Sequence, residues 1–168
     1  MKKIGIFYGS STGTCEDLAN RIADKLGVSA QDVHSADKLT EAMVKEYDVL
    51  LLGSSTWGDG DMQDDWYDGM KVLKAADLSG KLVALFGCGD SESYCDTFCD
   101  AIGVLYEDLQ GTGCIFIGNR VSTDGYAYSS SIAVVDGCFV GLALDEVNES
   151  DKTDERIDAW VTELQKSL

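Results

Sequence analysis

The sequence predicts an α/β fold in which a parallel β-sheet is covered by helices on both faces. Strand-like and helix-like segments alternate along the chain, and the strand-like runs are continuously apolar rather than alternating. Three of these runs end in loops rich in glycine and serine. The chain has 168 residues, of which 45% are hydrophobic, so it is long enough to bury a core. We find no internal repeat or linker and expect residues 1–168 to form one domain.

The first half of the chain contains three predicted strands. Residues 4–8 form a short buried strand, and a helix follows that ends at Gly27. A weak strand is predicted at 30–33, a short helix at 39–45 and a second strong strand at 48–52. The apolar positions that define the first helix are Leu18, Ala19, Ile22, Ala23 and Leu26.

The second half continues the alternation and splits the last strand. A helix is predicted between 66 and 76, and a third strong strand at 81–86. Two further pieces, 114–117 and 138–142, together make a fifth strand, and the segment 118–137 between them has no strong period. A segment of that length is either functional or a folded insertion. Two more helices are marked by apolar residues on one face: Phe98, Ala101, Ile102, Leu105 and Leu109 in one, and Ile157, Trp160, Val161 and Leu164 in the other.

The charge balance excludes whole classes of partner. Thirteen basic and thirty acidic residues give a formal net charge of -17. Nucleic acids and anionic membrane surfaces are excluded, because binding to them depends on Lys and Arg. Such a field attracts basic partners, although solubility alone would also explain it. No apolar run has the length of a membrane helix and the first residues lack a signal-peptide pattern, so we expect a cytoplasmic protein.

The six cysteines do not form a metal-binding pattern. No Cys-x-x-Cys pair is present, and Cys95 and Cys99 are the only close pair. The single histidine, His34, leaves few other soft ligands. We therefore predict no metal site, and half-buried free cysteines.

The predicted binding site lies where three strong strands end. In an open parallel sheet, ligands bind outside the carboxyl ends of the strands, so the loops 9–15, 54–61 and 87–94 should meet there. The first loop joins a strand to a helix N-terminus and offers hydroxyl and N–H groups to an anion. It lacks Lys, Arg and the triphosphate-binding motif, so it suits a phosphate monoester held by neutral donors. An ordinary turn with a helix cap is the alternative.

Aromatic residues stand on the other two loops. Trp57 lies in the second loop and Tyr94 in the third. Each alone is more typical of packing. Together, at the rims of two loops beside a phosphate site, they indicate stacking on both faces of a planar ring.

These motifs resemble those of flavodoxins, of the long-chain kind with a split fifth strand. The resemblance implies a sheet of order 2-1-3-4-5 with FMN at the edge between its first and third strands. It also implies a monomeric, low-potential electron carrier, without a substrate of its own, that works between a flavodoxin or ferredoxin reductase and acceptor oxidoreductases with basic docking surfaces. The segments that carry the resemblance are 4–10, Thr12-Gly13, Thr56-Trp57, 85–90, 99–103, 122–126 and 139–146.

The resemblance assigns roles to fourteen residues. The phosphate would be held by Ser10, Ser11, Thr12, Gly13, Thr14 and Cys15, and the isoalloxazine ring would lie between Trp57 and Tyr94. The ring edge and ribityl chain would be contacted by Thr56, Gly58, Asp59, Cys88, Gly89 and Asp90.

Two residues depart from the family pattern, and one glycine has a special role. Cys15 stands where the family usually has Ser or Thr, so we expect a thiol facing the phosphate, shielded only while FMN is bound. Ser55 stands where Pro is common, and we expect this to change only loop stiffness. At Gly58 a positive φ lets the peptide turn over toward the flavin, as the resemblance implies. We expect FMN binding not to depend on the insertion 118–137.

Other classes compete with the carrier. An FMN-dependent quinone reductase on the same fold would need a substrate pocket over the flavin. Cys15 and Arg21 have the C-x5-R spacing of a low-molecular-weight tyrosine phosphatase, but the residues between them fit a helix. A phosphate-receiver domain is disfavoured, because the third strand ends in Gly53-Ser54-Ser55 rather than in an acceptor Asp.

Overall fold

The computed structural model describes residues 2–168 and contains five α-helices and ten β-strands in that part of the chain. The strands are β1 (Ile4–Gly9), β2 (Val33–Ser35), β3 (Val49–Trp57), β4 (Asp61–Met62), β5 (Leu82–Cys88), β6 (Ile115–Phe116), β7 (Val121–Ser122), β8 (Val134–Val135), β9 (Cys138–Phe139) and β10 (Leu142–Leu144). The helices are α1 (Thr14–Leu26), α2 (Glu41–Glu46), α3 (Asp65–Ala75), α4 (Asp100–Asp108) and α5 (Thr153–Gln165).

The main sheet confirms the predicted α/β fold. Its order is β10-β5-β3-β1-β2, and these neighbours are parallel. β6 pairs with Leu82 and Val83 in the first part of β5, whereas β10 pairs with the last part, from Phe86 to Cys88. β6 and β10 are therefore two halves of one fifth strand, and the strand order 2-1-3-4-5 is confirmed.

The second half of the fifth strand was misplaced by the sequence prediction. The predicted piece 138–142 divides into β9 and β10, which belong to different sheets. β9 pairs antiparallel with both β7 and β8 and forms a small sheet with them. Gly141 lies between β9 and β10, where an added Cβ would come within 2.3 Å of the Leu85 carbonyl oxygen. The chain thus passes against β5 at that point, and the insertion 118–137 has strands of its own.

Three other boundaries also differ from the prediction. The weak strand lies at β2 rather than at 30–33, because residues 30–32 form a 3-10 turn whose Ser29 side chain accepts the N–H of Gln31. β3 and β5 continue beyond their predicted ends, to Trp57 and Cys88. The end of β3 is extended by pairing with β4 in a hairpin. The predicted helices agree with α1 to α5 within a few residues.

Both faces of the sheet are buried, which explains the apolar runs. Along β3, Leu50 and Leu52 pack on one face with α3 and α4, whereas Val49 and Leu51 pack on the other with α1 and α5. All four are fully buried. In residues 2–168 we find no helix with the length and apolar character needed to cross a bilayer.

A row of small residues crosses the sheet where its strands end. Gly9, Ser54 and Gly87 are neighbours on β1, β3 and β5. A Cβ on Gly9 would come within 2.7 Å of both Gln63 Oε1 and the Trp66 ring, and one on Gly87 within 2.6 Å of the Ser54 carbonyl oxygen. Only glycine fits at either position, and the three loops leave the sheet just beyond this row.

Candidate functional site

A cavity of about 360 Å³ lies at the carboxyl edge of the sheet, within the size range of small-molecule sites. The three predicted loops meet there, together with the segment after β10. Its lining residues are Thr12, Thr14, Ser55, Thr56, Trp57, Gly58, Cys88, Gly89, Asp90, Tyr94, Thr97, Glu146 and Val147.

The first loop leads directly into α1. Gly13 has φ 91° and immediately precedes the helix, and its N–H donates to Ser10 Oγ at 3.1 Å. The Ser11 hydroxyl accepts from the Gln63 side chain at 3.0 Å, so it is tied to the segment before α3. Thr12 and Thr14 remain on the cavity wall. The first N–H groups of a helix have no partner within the helix, so this wall offers uncharged donors.

The second loop is a tight hairpin turn between β3 and β4. The Gly60 N–H donates to the Trp57 carbonyl oxygen at 3.0 Å, and Gly58 has φ 53°. The positive φ expected at Gly58 is therefore present. Trp57 is 41% exposed. The Thr56 hydroxyl accepts the N–H of Ala101 at 3.2 Å, and this bond ties the loop to the start of α4.

The third loop is organised by Asp90. The carboxylate accepts the N–H groups of Ser93 at 2.9 Å and Glu92 at 3.1 Å, and the side-chain amide of Asn148 at 2.8 Å. These bonds lower the pKa of Asp90, with the Ser93 N–H as the largest cause. The Asp90 carbonyl accepts the N–H of Tyr94 at 2.9 Å. Tyr94 thus stands on a well-defined turn, with 57% of its surface exposed.

A buried carboxylate links this loop to the segment after β10. Asp145 is fully buried and accepts the N–H of Ser91 at 3.2 Å, the Ser91 hydroxyl, and the N–H of Asn148 at 3.0 Å. Because Asn148 also binds Asp90, the two segments are held together by hydrogen bonds to charged acceptors. Glu146 and Val147 are thereby placed on the cavity wall.

The insertion supports the loop that carries Tyr94. The N–H groups of Ser129 and Ser130 both donate to the Cys95 carbonyl oxygen at 2.9 Å. The Phe98 ring stacks on Tyr128 with a centroid distance of 5.6 Å. These contacts hold the chain just after the third loop, so the insertion borders the site. That ligand binding does not depend on 118–137 stays a prediction.

The position of Cys15 contradicts the sequence prediction. Its thiol is fully buried by protein atoms alone and packs with Leu18 and Ile22 on the inner face of α1. The neighbouring Cys88 thiol and burial raise the pKa of Cys15 well above its usual value. The thiol cannot take the place of a phosphate-binding hydroxyl, so only the backbone of Cys15 remains available at the loop.

All six cysteines are free; Cys95, Cys114 and Cys138 are half-buried as predicted, whereas Cys15, Cys88 and Cys99 are buried. No cluster in residues 2–168 has a metal-binding arrangement. Cys88 is buried at the cavity wall, and the Cys99 thiol lies 3.7 Å from the Leu144 carbonyl oxygen.

The phosphatase alternative also fails. Cys15 and Arg21 lie within α1, and the Arg21 guanidinium is paired with Glu146 at 3.0 Å and Asp154 at 2.8 Å.

Nine of the fourteen predicted site residues line the cavity: Thr12, Thr14, Thr56, Trp57, Gly58, Cys88, Gly89, Asp90 and Tyr94. The five predicted residues outside the lining are Ser10, Ser11, Gly13, Cys15 and Asp59. Sequence reasoning missed four lining residues: Ser55, Thr97, Glu146 and Val147. The rule that placed the other loops would have found Glu146 and Val147, because they follow the last strand of the sheet.

Comparison with known proteins gives one consistent family. The sequence model of the flavodoxin family matches residues 6–160. The chain is 45% identical to flavodoxin 1 of Azotobacter vinelandii, over 100% of this chain and 98% of that protein. It is 44% identical to a flavodoxin of Nostoc sp. strain PCC 7120, over 99% and 98%. A crystal structure of Fusobacterium nucleatum flavodoxin bound to flavin mononucleotide is similar with a TM-score of 0.89 and 32% identity, over 100% of this chain and 99% of that one.

The burial of Cys15 predicts how its thiol reacts. We expect iodoacetamide to leave Cys15 and Cys99 unmodified in the folded protein, with or without added FMN, because both are fully buried. Cys95 is only partly buried and serves as the internal control. Peptide mapping after timed alkylation measures the three rates. Modification of Cys15 as fast as that of Cys95 would contradict this placement.

Proposed function

The chain belongs to the flavodoxin family, and on that basis we propose that it binds FMN non-covalently at the carboxyl edge of the sheet. Flavodoxins are electron carriers that serve redox partners and are not enzymes, and this chain is such a carrier. The quinone reductase alternative is not favoured, because the relatives reported above, matched over nearly their whole length, are flavodoxins. The observation that carries the proposal is one cavity with exposed aromatic rings on two loops and the N-terminus of α1 on its wall.

The lining residues fit FMN. The lining contains no Lys or Arg, so its donors are uncharged. The hydroxyls of Thr12 and Thr14 and the first N–H groups of α1 suit a phosphate monoester. Space is also present at Gly13, where an added Cβ would meet nothing within 4 Å. Trp57 and Tyr94 offer broad aromatic surfaces for a planar ring. When bound, FMN supplies the redox chemistry, and the protein supplies binding and electrostatics.

We assign the site residues as follows. The loop from Ser10 to Thr14, with the backbone of Cys15, holds the phosphate. Trp57 and Tyr94 flank the isoalloxazine. The ring edge and ribityl chain are contacted by Thr56, Gly58, Cys88, Gly89 and Asp90, and by the peptide of the turn before Asp59. The positive φ of Gly58 allows the peptide after Trp57 to turn toward the ring.

The charge around the site favours a low potential. Between residues 59 and 108 the chain has twelve acidic and three basic residues. Negative charge near the cofactor disfavours the further negative charge that reduction adds. The same charge favours partners with basic docking surfaces. The monomeric state, the cytoplasmic location and the single domain over residues 1–168 stay predictions.

The phosphate assignment predicts a difference between FMN and riboflavin. We expect FMN to bind at least about 100-fold more tightly, because several hydrogen bonds to a charged phosphate are lost with riboflavin. Thr14→Val keeps the side-chain shape and removes the hydroxyl, so it should weaken FMN about tenfold and leave riboflavin unchanged. Thr162→Val on the exposed face of α5 is the matched control. Fluorescence titration measures the dissociation constants, and an equal loss for both flavins would contradict the assignment.

The docking assignment predicts salt-sensitive association. With a reductase that has a basic surface, the association rate should fall at least about tenfold between low and high ionic strength. The double variant Glu92→Gln/Asp96→Asn, in the third loop and just after it, should lower the rate at low salt. Asp24→Asn/Glu107→Gln makes the same change in charge near the C-terminal ends of α1 and α4 and should not. Stopped-flow kinetics measures the rates; equal slowing by both pairs would argue against docking at this edge.

A further inference from the structure

The indole of Trp57 is held by a side-chain hydroxyl. Its Nε1–H donates to Ser55 Oγ at 2.7 Å. The other two tryptophans instead use backbone acceptors: Trp66 Nε1 donates to the Gly53 carbonyl at 2.7 Å, and Trp160 Nε1 to the Gly118 carbonyl at 3.0 Å. Ser55 and Trp57 are two positions apart on β3, so their side chains leave the strand on the same face.

The Ser55 hydroxyl also reaches the neighbouring strand. It donates to the Gly9 carbonyl at the end of β1, at 3.5 Å. A hydroxyl has one donor and two acceptor sites, so these two bonds are compatible. Ser55 is 8% exposed, and water therefore has little access to compete for the hydroxyl. The indole of Trp57 is thus connected to the strand end from which the first loop departs.

We propose that Ser55 is a positioning residue: its hydroxyl fixes the rotation of the Trp57 indole against which the isoalloxazine ring of FMN lies. This inference rests on the proposed FMN site. A ring that covers part of the 41%-exposed indole would keep water away from Nε1. The N–H would then lack a hydrogen-bond partner unless the protein supplied an acceptor. Ser55 supplies that acceptor before the cofactor arrives, so less ordering of the indole is needed on binding. This role goes beyond the change in loop stiffness expected of serine at this position.

The test follows the Trp57 indole N–H by nuclear magnetic resonance in the full chain, before and after saturation with FMN. Loss of one indole signal in Trp57→Phe assigns the resonance. In Ser55→Ala, we expect the Trp57 indole proton to exchange with solvent at least about tenfold faster, and the FMN dissociation constant to rise about five- to tenfold. Ser55→Thr keeps the hydroxyl and should restore both values.

Two internal controls separate positioning from general destabilisation. The indole signals of Trp66 and Trp160 should not change in Ser55→Ala, because their acceptors are backbone carbonyls. Ser54→Ala removes a neighbouring buried hydroxyl that accepts the Gln63 N–H and donates to the Ser55 carbonyl oxygen. The variant keeps the Ser55 hydroxyl, so it should leave the Trp57 exchange rate unchanged. A change in all three indole signals would indicate a loosened fold and would overturn the positioning role.

The remaining outcomes distinguish this inference from the function on which it rests. Unchanged exchange of the Trp57 proton in Ser55→Ala would overturn the inference alone, and so would faster exchange with an unchanged FMN dissociation constant. If the unmodified chain does not bind FMN, the proposed function fails and the positioning role fails with it, even where the exchange data show the Ser55–Trp57 bond.

Discussion

The close approach of three strand ends, at Gly9, Ser54 and Gly87, is the constraint on which the site depends. Ser54 is completely buried, and the two glycines have no space for a Cβ. Helix α4 and the segment before α3 can therefore pack directly over the strand ends. The loops that follow are delivered to a single edge, and a larger residue in this row would separate them.

Beyond that row, the third loop is held by hydrogen bonds to carboxylates rather than by cations. Asp90 binds the N–H groups of its own turn, and Asp145 joins that turn to the segment after β10. Acidic residues thus provide structure and at the same time add negative charge beside the cavity. The neutral donors at α1 can still bind a phosphate, because backbone N–H groups and the helix dipole favour an anion without a formal positive charge. A site built in this way binds its cofactor and opposes the charge that reduction adds.

Much of the fold could be predicted because both faces of the sheet are buried, so β1, β3 and β5 appear as continuous apolar runs. β2 has only three residues, all partly exposed, and gives a weak pattern. β9 and β10 look like one strand in sequence, but β9 pairs with β7 and β8 whereas β10 pairs with β5. The three predicted loops were located correctly by the edge rule. The bonds of Asp145 to Ser91 join residues 54 positions apart, and no local pattern reveals such a pair.

The direction of Cys15 could have been predicted. Cys15, Leu18, Ala19 and Ile22 lie at helical spacing on the buried face of α1, so the apolar pattern of the helix includes Cys15.

The central claim is that an acidic site with neutral donors holds FMN and opposes its full reduction. The most direct test of this claim is one redox potential of the bound cofactor. Spectroelectrochemistry at neutral pH gives the midpoint potential of the second one-electron reduction of the bound cofactor. We predict a value at least about 60 mV below that of free FMN, which corresponds to binding of the fully reduced form at least tenfold weaker than that of the one-electron-reduced form. A value equal to or above that of free FMN would contradict the account.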